Sequence, residues 1–361
     1  MFDEKILKEG EAAVWRLRSL YKKYGYMPFK MSKFEEYDLY VRNKDFLQGN
    51  GVITFSDTGG ELLALKPDVT LSIIKNTTDR VGCVSKVYYD ENVYRISGAT
   101  SRFKEIMQTG IECIGDVDGY SRFEVLLLAA KSLEEISDRF VLDVSHMGII
   151  SAMLSSVGAE GESLTKLSKL IAEKNTHEMC AILDEMCADP DAKERLISLA
   201  RLYGSAEAVL PRLEKICEGV CDEAYVELSS LMSLLTEAGY GDTVRIDFSV
   251  INNMSYYNGI VFRGFIDGIP EGVLAGGGYG ALMQSMGRSS EAIGFAIYLD
   301  MLEGFAGSRN EYDVDLLLLY EPGTSPGAVA KRVAELTAEG VSVSAQCEIP
   351  EKLRYRRLVK L

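Results

Sequence analysis

The spacing of apolar side chains changes several times along the chain, and each change marks a predicted element. Residues 4–24 repeat apolar positions at helical intervals and end at Gly25, which predicts a helix. Residues 51–65 hold two short apolar runs on either side of the turn sequence Asp57-Thr-Gly-Gly60 and predict a hairpin. A second helix is expected to begin near Pro67, because proline is tolerated where the first helical amide needs no partner.

Longer elements follow. Two long strands are predicted over residues 83–96 and 103–114, and a polar loop joins them into an antiparallel hairpin. Residues 120–137 predict a helix and residues 140–144 a strand. From about 147 to 239 the pattern is helical throughout, and we interpret this stretch as a separate helical insertion.

Strand patterns return after the insertion, at residues 244–248 and 256–265. The glycine cluster Gly276-Gly-Gly-Tyr-Gly280 lacks the spacing of a phosphate loop or a dinucleotide fold, so we interpret it as a tight turn or a close backbone contact. An apolar segment covers 292–302, and residues 314–343 show a strand, a helix and a strand. This tail is too short for a doubly wound domain of about 100 residues, so it is either a shortened module or one completed by packing on something else.

Composition narrows the class of protein. The chain has 361 residues, 47% of them hydrophobic, which predicts a large core in two or three domains and excludes an extended disordered region. Its 39 basic and 54 acidic residues give a net charge of −15. Because affinity for phosphate is built on clustered cations, we do not expect nucleic acid as a partner.

The cysteines, the apolar runs and the histidines bear on cellular location, membrane association and metal binding, in that order. The seven cysteines are odd in number and scattered, and the opening residues do not resemble a signal peptide, so we expect a cytoplasmic protein. No apolar run approaches the roughly 18 residues that span a bilayer, and no membrane association is expected. His146 and His177 stand outside any zinc motif, so we expect neither a metal nor a cofactor.

The second strand of the long hairpin carries the first candidate for chemistry. Period-two alternation places Gln108, Gly110 and Glu112 on one face. An amide and a carboxylate on either side of a glycine leave space above the backbone for a small ligand. A solvent-facing strand with ordinary polar residues is the alternative. The opposite face is predicted to be core and holds Met107, Thr109, Ile111 and Cys113.

Other polar residues could join this face. Arg95 can reach it across the hairpin, where a guanidinium suits a ligand carboxylate, although an ion pair with Glu112 is equally consistent with the pattern. Asp68 and Thr70 stand at a predicted helix start, where aspartate is also a common capping residue. The adjacent Tyr256 and Tyr257 form either a stacking platform or one core and one surface residue.

Taken together and in order, these segments resemble the catalytic core of histidyl-tRNA synthetase, a class II synthetase, and of its non-aminoacylating relative, the regulatory subunit of ATP phosphoribosyltransferase. The resemblance covers about residues 5–305. The matching stretches are Leu65-Lys-Pro-Asp-Val-Thr70, Val93-Tyr-Arg95, Arg102-Phe-Lys-Glu-Ile-Met-Gln-Thr-Gly-Ile-Glu112, Tyr256-Tyr-Asn-Gly-Ile-Val-Phe262, Gly276-Gly-Gly-Tyr279 and Ala292-Ile-Gly-Phe-Ala-Ile-Tyr-Leu299.

The resemblance implies an α+β fold, with a class II synthetase-like antiparallel sheet and flanking helices. Residues 1–146 and 240–305 would form this core, 147–239 the helical insertion, and 306–361 a truncated βαβ segment like an anticodon-binding domain. It also implies a pocket for free histidine, with carboxylates and hydroxyls suited to the ammonium group, an amide and a guanidinium suited to the carboxylate, and tyrosines beside the imidazole. The implied residues are Asp68, Thr70, Arg95, Gln108, Glu112, Tyr256 and Tyr257.

Departures from the synthetase pattern favour the non-aminoacylating relative. The synthetase has an arginine four residues before the paired tyrosines, where this chain has Asn252. The class II motif that ends Leu-Glu-Arg is Leu299-Asp300-Met301 here. In an enzyme, removing one preorganised donor that stabilises the charge developing in the transition state typically lowers the rate about a hundred- to a thousandfold. The loss of two such groups makes aminoacylation implausible.

The resemblance therefore implies a regulatory subunit that does no chemistry. Its expected partner is a short-form catalytic subunit of ATP phosphoribosyltransferase, in the first step of histidine biosynthesis, with histidine as feedback effector. A homodimer within a hetero-oligomer is expected. A histidyl-tRNA synthetase is the alternative, and a synthetase-like module that binds another amino acid or an RNA is a third interpretation.

Overall fold

The computed structural model describes residues 9–44, 47, 51–78, 82–96, 102–251, 257–302 and 312–361. The chain divides into two compact units, Met1–Phe305 and Ala306–Leu361. Which residues of the first unit form a separate insertion, and whether the second unit is an anticodon-binding-like segment, stay predictions.

The first unit mixes strands and helices along the whole of its length. Its strands are β1 (Met27–Pro28), β2 (Phe34–Glu36), β3 (Thr54–Ser56), β4 (Leu62–Leu65), β5 (Val84–Ile96), β6 (Phe103–Gly115), β7 (Phe140–His146), β8 (Tyr203–Gly204), β9 (Val244–Asp247), β10 (Ile260–Ile266), β11 (Leu274–Gly278) and β12 (Glu291–Tyr298). Its helices are α1 (Glu9–Lys23), α2 (Tyr37–Arg42), α3 (Thr70–Asn76), α4 (Gly119–Glu134), α5 (Met147–Ser156), α6 (Gly161–Ala172), α7 (Thr176–Glu185), α8 (Pro190–Ala200), α9 (Ala206–Cys217), α10 (Asp222–Leu235) and α11 (Gly280–Ser285).

A nine-stranded sheet forms the centre of this unit, in the order β1-β5-β6-β12-β11-β10-β7-β9-β8. Neighbouring strands are antiparallel, except that β1 is parallel to β5 and β7 is parallel to β9. The predicted class II synthetase-like α+β fold is therefore confirmed, with a sheet that is mixed near both edges. The predicted hairpin over residues 51–65 is also present, because β3 and β4 pair antiparallel.

One face of the sheet is covered by α4, which packs against β6, β7, β10 and β12. The Asp118 carboxylate caps this helix by accepting a hydrogen bond of 2.8 Å from the amide of Ser121. Apolar side chains of α4 itself, such as Val125 and Leu133, are fully buried. The opposite face of β6, which carries Gln108 and Glu112, is left to hold a cavity.

Several sequence predictions about the sheet are wrong. The first three glycines of the cluster, Gly276 to Gly278, lie in strand β11 rather than in a turn, and a Cβ on Gly276 would lie 2.4 Å from the carbonyl oxygen of Gly294. The alternative of a close backbone contact is therefore correct. Strand β10 begins at Ile260, so Tyr257 precedes it. Met107 is 41% exposed because β6 extends there beyond the end of β12 and pairs only with β5.

The stretch predicted to be wholly helical contains α5 to α10 and the two-residue strand β8, which pairs with β9 at the sheet edge. Each helix buries an apolar stripe, such as Leu167, Leu170 and Ile171 of α6. A kinked turn at Thr236–Tyr240, with Gly239 at a φ of 94°, leads back into the sheet. Helix α2 was not predicted, because its six residues give too short a pattern and bury only Tyr40.

In the second unit, the described residues 312–361 form a three-stranded parallel sheet with one helix. It consists of β13 (Val314–Leu319), α12 (Pro326–Ala338), β14 (Val343–Gln346) and β15 (Tyr355–Lys360), in the sheet order β14-β13-β15. The strand, helix and strand that the sequence predicts are present, and β15 adds a third strand. Leu316, Leu318 and Leu336 form its buried cluster.

Candidate functional site

A polar cavity lies on the face of the sheet opposite α4. Six of the seven predicted site residues line it, and Tyr256 lies outside the described residues. The free space is about 30 Å³, enough for one or two water molecules. The lining residues are Asp68, Val69, Thr70, Tyr89, Arg95, Gln108, Glu112, Tyr257, Ala275, Tyr279, Gly294, Phe295, Ala296 and Tyr298.

Glu112 lies at the centre of the cavity wall and is only 3% exposed. Its Oε1 accepts a hydrogen bond of 2.9 Å from the Thr70 hydroxyl, and its Oε2 accepts one of 2.6 Å from the Tyr279 hydroxyl. Gly294 is its cross-strand neighbour on β12, where a Cβ would lie 1.8 Å from Oε2. Glycine at 294 is therefore required for this position of the carboxylate.

Burial raises the pKa of Glu112 to about 8, although the hydrogen bonds from Tyr279 and Thr70 act in the opposite direction. The nearby carboxyl of Asp68 raises it further. Near neutral pH the group therefore holds a proton for much of the time. A cationic ligand group beside it would favour the ionised form and release that proton.

Asp68 has two roles at the cavity edge. Its Oδ1 accepts a hydrogen bond of 3.0 Å from the amide of Leu71 in the first turn of α3, and its Oδ2 lies 4.0 Å from Nη2 of Arg95. The Nε of Arg95 donates to the carbonyl oxygen of Pro67 at 2.8 Å. The predicted helix cap is therefore present, and the ion pair that the structure records for Arg95 is with Asp68 rather than Glu112. Burial raises the pKa of Asp68, and Arg95 opposes this shift.

Gln108 is 3% exposed, so the alternative of a solvent-facing strand is wrong for this part of β6. The amide faces Tyr298 of β12 in the sheet register. Gly110, two residues on, faces Tyr89 of β5, and a Cβ there would lie 2.7 Å from the Tyr89 hydroxyl. The open space predicted above this glycine is thus filled partly by a phenol.

Sequence reasoning missed three tyrosines of the cavity: Tyr89, Tyr279 and Tyr298. Burial raises the pKa of Tyr89, Tyr257 and Tyr298 above the ordinary value, so their phenols stay protonated and can donate hydrogen bonds. Alternation along β5 could have placed Tyr89 on the same face as Gln108. The other two depend on the pairing of β12 with β6 and on the packing of Tyr279 over Glu112.

Chemically, the cavity combines two carboxyl groups, a guanidinium, an amide and several phenol donors. This set can hold a small molecule that carries both an ammonium and a carboxylate group. Among the residues that the structure describes, no three metal-binding side chains lie close enough to hold an ion. None of the described helices is both long and apolar enough to cross a membrane.

At the two positions where the synthetase has an arginine that would hold a nucleotide, this chain has uncharged residues, Asn252 and Met301. Met301 lies in the 3-10 turn Leu299–Leu302, and its neighbour Asp300 accepts a hydrogen bond of 2.6 Å from the Lys104 ammonium group. Asn252 lies outside the described residues. The sequence offers no cation at either position.

Comparison with known proteins agrees with this architecture. The family model of histidyl-tRNA synthetase matches residues 4–302. A curated relative from Oceanobacillus iheyensis, named ATP phosphoribosyltransferase regulatory subunit, is 27% identical over 335 residues, which cover 91% of this chain and 82% of the relative.

Two solved structures share the fold. A Bacillus halodurans protein described as an ATP phosphoribosyltransferase regulatory subunit/histidyl-tRNA synthetase has a TM-score of 0.79 and 22% identity, covering 100% of this chain and 96% of that one. A chain of the Thermotoga maritima ATP phosphoribosyl transferase (HisG:HisZ) complex has a TM-score of 0.64 and 21% identity, covering 80% of this chain and 97% of that one. Since the family model spans most of its length, the chain belongs to the histidyl-tRNA synthetase family.

Proposed function

We propose that this chain is the regulatory subunit of a short-form ATP phosphoribosyltransferase and does no chemistry itself. The relative from Oceanobacillus iheyensis, whose name states this role, matches nearly the whole chain. The shared fold of a chain in the Thermotoga maritima ATP phosphoribosyl transferase (HisG:HisZ) complex supports this proposal. The expected partner is a separate catalytic subunit, and the expected assembly is a homodimer of this chain within a hetero-oligomer in the cytoplasm.

The proposed absence of catalysis rests on missing positive charge. Forming an adenylate concentrates negative charge at a phosphate, and the sequence has Asn252 and Met301 at the two positions where the synthetase has arginine. Asp300 beside Met301 adds a carboxylate that already holds Lys104. The chain therefore lacks the two cations with which the synthetase would hold a triphosphate.

The observation that carries the proposal is the buried acidic wall of the cavity with Arg95 at its edge. In the proposed complex the histidine ammonium lies near Glu112 and Thr70, and its carboxylate near Arg95 and Gln108. Tyr257, and Tyr256 by resemblance, would flank the imidazole. Because the free space is only about 30 Å³, binding requires side chains at the cavity edge to move outward.

Feedback inhibition would follow if histidine binds the inhibited assembly more tightly than the active one. The test combines histidine calorimetry on this chain with assays of the catalytic subunit, with and without this chain and histidine. We expect binding at one cavity per chain, activation of the catalytic subunit by the chain, and inhibition by histidine.

Variants sharpen this test. Glu112→Gln should weaken histidine binding roughly tenfold or more, because the ammonium loses its ionised partner. Glu105→Gln is the matched control, since Glu105 is an exposed carboxylate on the same strand. If histidine does not bind and the chain leaves catalytic activity unchanged, the proposal is refuted.

A working histidyl-tRNA synthetase is the second candidate, because the matching family model carries that name. Pyrophosphate exchange that depends on histidine and ATP separates the two functions, since only the enzyme forms an adenylate. Exchange at a rate normal for synthetases would favour this candidate over the regulatory subunit.

A further inference from the structure

A second cavity, of about 170 Å³, lies at one end of the same sheet. It is much larger than the first, and an engineered cavity of about 150 Å³ is known to hold benzene, so a small ring or amino acid fits. Neither the family resemblance nor the proposed function uses it. Its lining residues are Val117, Arg122, His146, Glu227, Asn258, Gly259, Ile260, Gly278, Gly280, Glu291, Ala292 and Ile293.

The charged side chains of this cavity come from separate elements. Arg122 of α4 pairs through Nε with Glu227 of α10 at 3.3 Å, and through Nη2 with Glu291 of β12. His146 accepts a hydrogen bond at Nδ1 from the amide of Gly148, so its neutral ring carries the proton on Nε2 and donates it to Glu227 at 3.2 Å. Each carboxylate oxygen of Glu227 therefore already has a protein partner.

Three groups remain for a ligand. Among the described residues, the side-chain amide of Asn258 has no hydrogen-bond partner, and Arg122 uses only Nε and Nη2 in its ion pairs. Glu291 uses only Oε2 and is 58% exposed. Nothing would crowd a Cβ on Gly259, so the space above this backbone is open.

These free groups select the class of ligand. A simple anion would meet the carboxylates of Glu227 and Glu291, and a simple cation would meet the guanidinium of Arg122. A zwitterion satisfies both, because its carboxylate can bind Arg122 and the Asn258 amide while its ammonium binds Glu291. We propose that this second cavity binds a free amino acid and that its occupancy changes ligand binding in the first cavity.

The coupling follows from shared chain segments. Tyr257 lines the first cavity, and the next three residues, 258–260, line the second. Tyr279 lines the first, and its neighbours Gly278 and Gly280 line the second. Strand β12 gives residues 291–293 to the second cavity and 294–296 to the first. Because packed strands do not deform independently, a ligand in one cavity should shift the wall of the other.

The site itself is tested by thermal shift with each common amino acid on the wild type and on Glu112→Gln, which weakens binding in the first cavity. We expect at least one amino acid to raise the melting temperature of both proteins. Calorimetry then compares Glu112→Gln with double variants that also carry Asn258→Ala or Glu291→Gln. Each added substitution should weaken the binding of this amino acid roughly tenfold. Glu271→Gln, an exposed carboxylate outside the cavity, should not.

Two analogues check the zwitterion requirement. The amide of the same amino acid lacks the carboxylate, its deaminated acid lacks the ammonium, and each should bind about tenfold more weakly. The site is overturned if no amino acid stabilises Glu112→Gln, or if binding is unchanged by both substitutions in the second cavity. Asn258 is exposed and the structure records no hydrogen bond of its side chain to another described residue, so Asn258→Ala is expected to fold.

The coupling rests on the proposed function and has its own measurement. Histidine is titrated into the wild type with and without the second ligand, and we expect its affinity to change about fivefold or more. An unchanged affinity would overturn the coupling. If histidine does not bind the wild type and the chain leaves the activity of the catalytic subunit unchanged, the proposed function fails, whereas the thermal shift of Glu112→Gln still decides whether the second site exists.

Discussion

Replacing the buried carboxyl of Glu112 by an amide should change the pH dependence of stability in a way that the structure predicts quantitatively. Burial raises the pKa of this group from its ordinary value of 4.5 to about 8. The folded state therefore holds the proton more tightly than the unfolded state. The free energy of unfolding of the wild type falls as the pH rises from about 4.5 to about 8, because the unfolded chain releases the proton first.

The size of the effect follows from the same values. The difference between 4.5 and about 8, at about 1.4 kcal/mol per pH unit, gives an upper limit of about 5 kcal/mol. Glu112→Gln escapes this loss because it does not ionise. Its amide nitrogen, however, cannot accept the hydrogen bond from Thr70 or Tyr279, which costs about 1–3 kcal/mol at every pH.

The two terms predict a change of sign. Near pH 5 the variant should be less stable than the wild type by about 1–3 kcal/mol, and above about pH 8 it should be more stable by at most about 2–4 kcal/mol. Urea unfolding followed by circular dichroism across this range measures the difference. Glu105→Gln, on the exposed part of the same strand, should change little at any pH. A difference between Glu112→Gln and wild type that stays constant from about pH 5 to pH 8.5 would refute the reasoning.

Three further substitutions test the packing around the cavity. Tyr279→Phe removes the 2.6 Å hydrogen bond to Glu112 and should lower the free energy of unfolding by about 1–3 kcal/mol, as measured by urea titration. Gly294→Ala places a methyl group where the Glu112 carboxylate lies, so calorimetry should show loss of histidine binding together with a lower melting temperature. Lys66→Met breaks the buried 2.6 Å ion pair with Glu91 and should lower the free energy of unfolding by about 3–5 kcal/mol. Adding Glu91→Leu to the same chain should restore most of this stability. Full stability of the single variant would contradict this account.

The local part of the site could be predicted from the sequence because it depends on short-range geometry. Alternation along one strand is enough to place Gln108 and Glu112 on a common face, and hairpin pairing is enough to bring Arg95 near them. A helix start is enough to expect a cap from Asp68. In each case the structure keeps the predicted local relation.

Long-range pairing could not be predicted in the same way. Tyr298 joins the cavity because β12 pairs with β6, although some 190 residues separate them along the chain, and no periodicity reports that register. Tyr279 follows β11, whose glycines favour a turn. The sequence does not reveal that β12 lies so close that a Cβ on Gly276 would be 2.4 Å from the carbonyl oxygen of Gly294. Met107 was assigned to the core because alternation cannot show where a neighbouring strand ends.

The buried acids also connect stability with ligand recognition. Glu112 and Asp68 both have raised pKa values, so ionising them in the free protein costs stability. An ammonium group placed between them would lower both pKa values, and the free energy then gained would appear as binding affinity. Binding should therefore release protons, and histidine affinity should increase from about pH 6 toward pH 8. A pocket whose carboxylates were already ionised in the free protein would bind histidine with no such pH dependence. Proton release on binding therefore links the cost of burying these two acids to the proposed role of the chain as a histidine sensor.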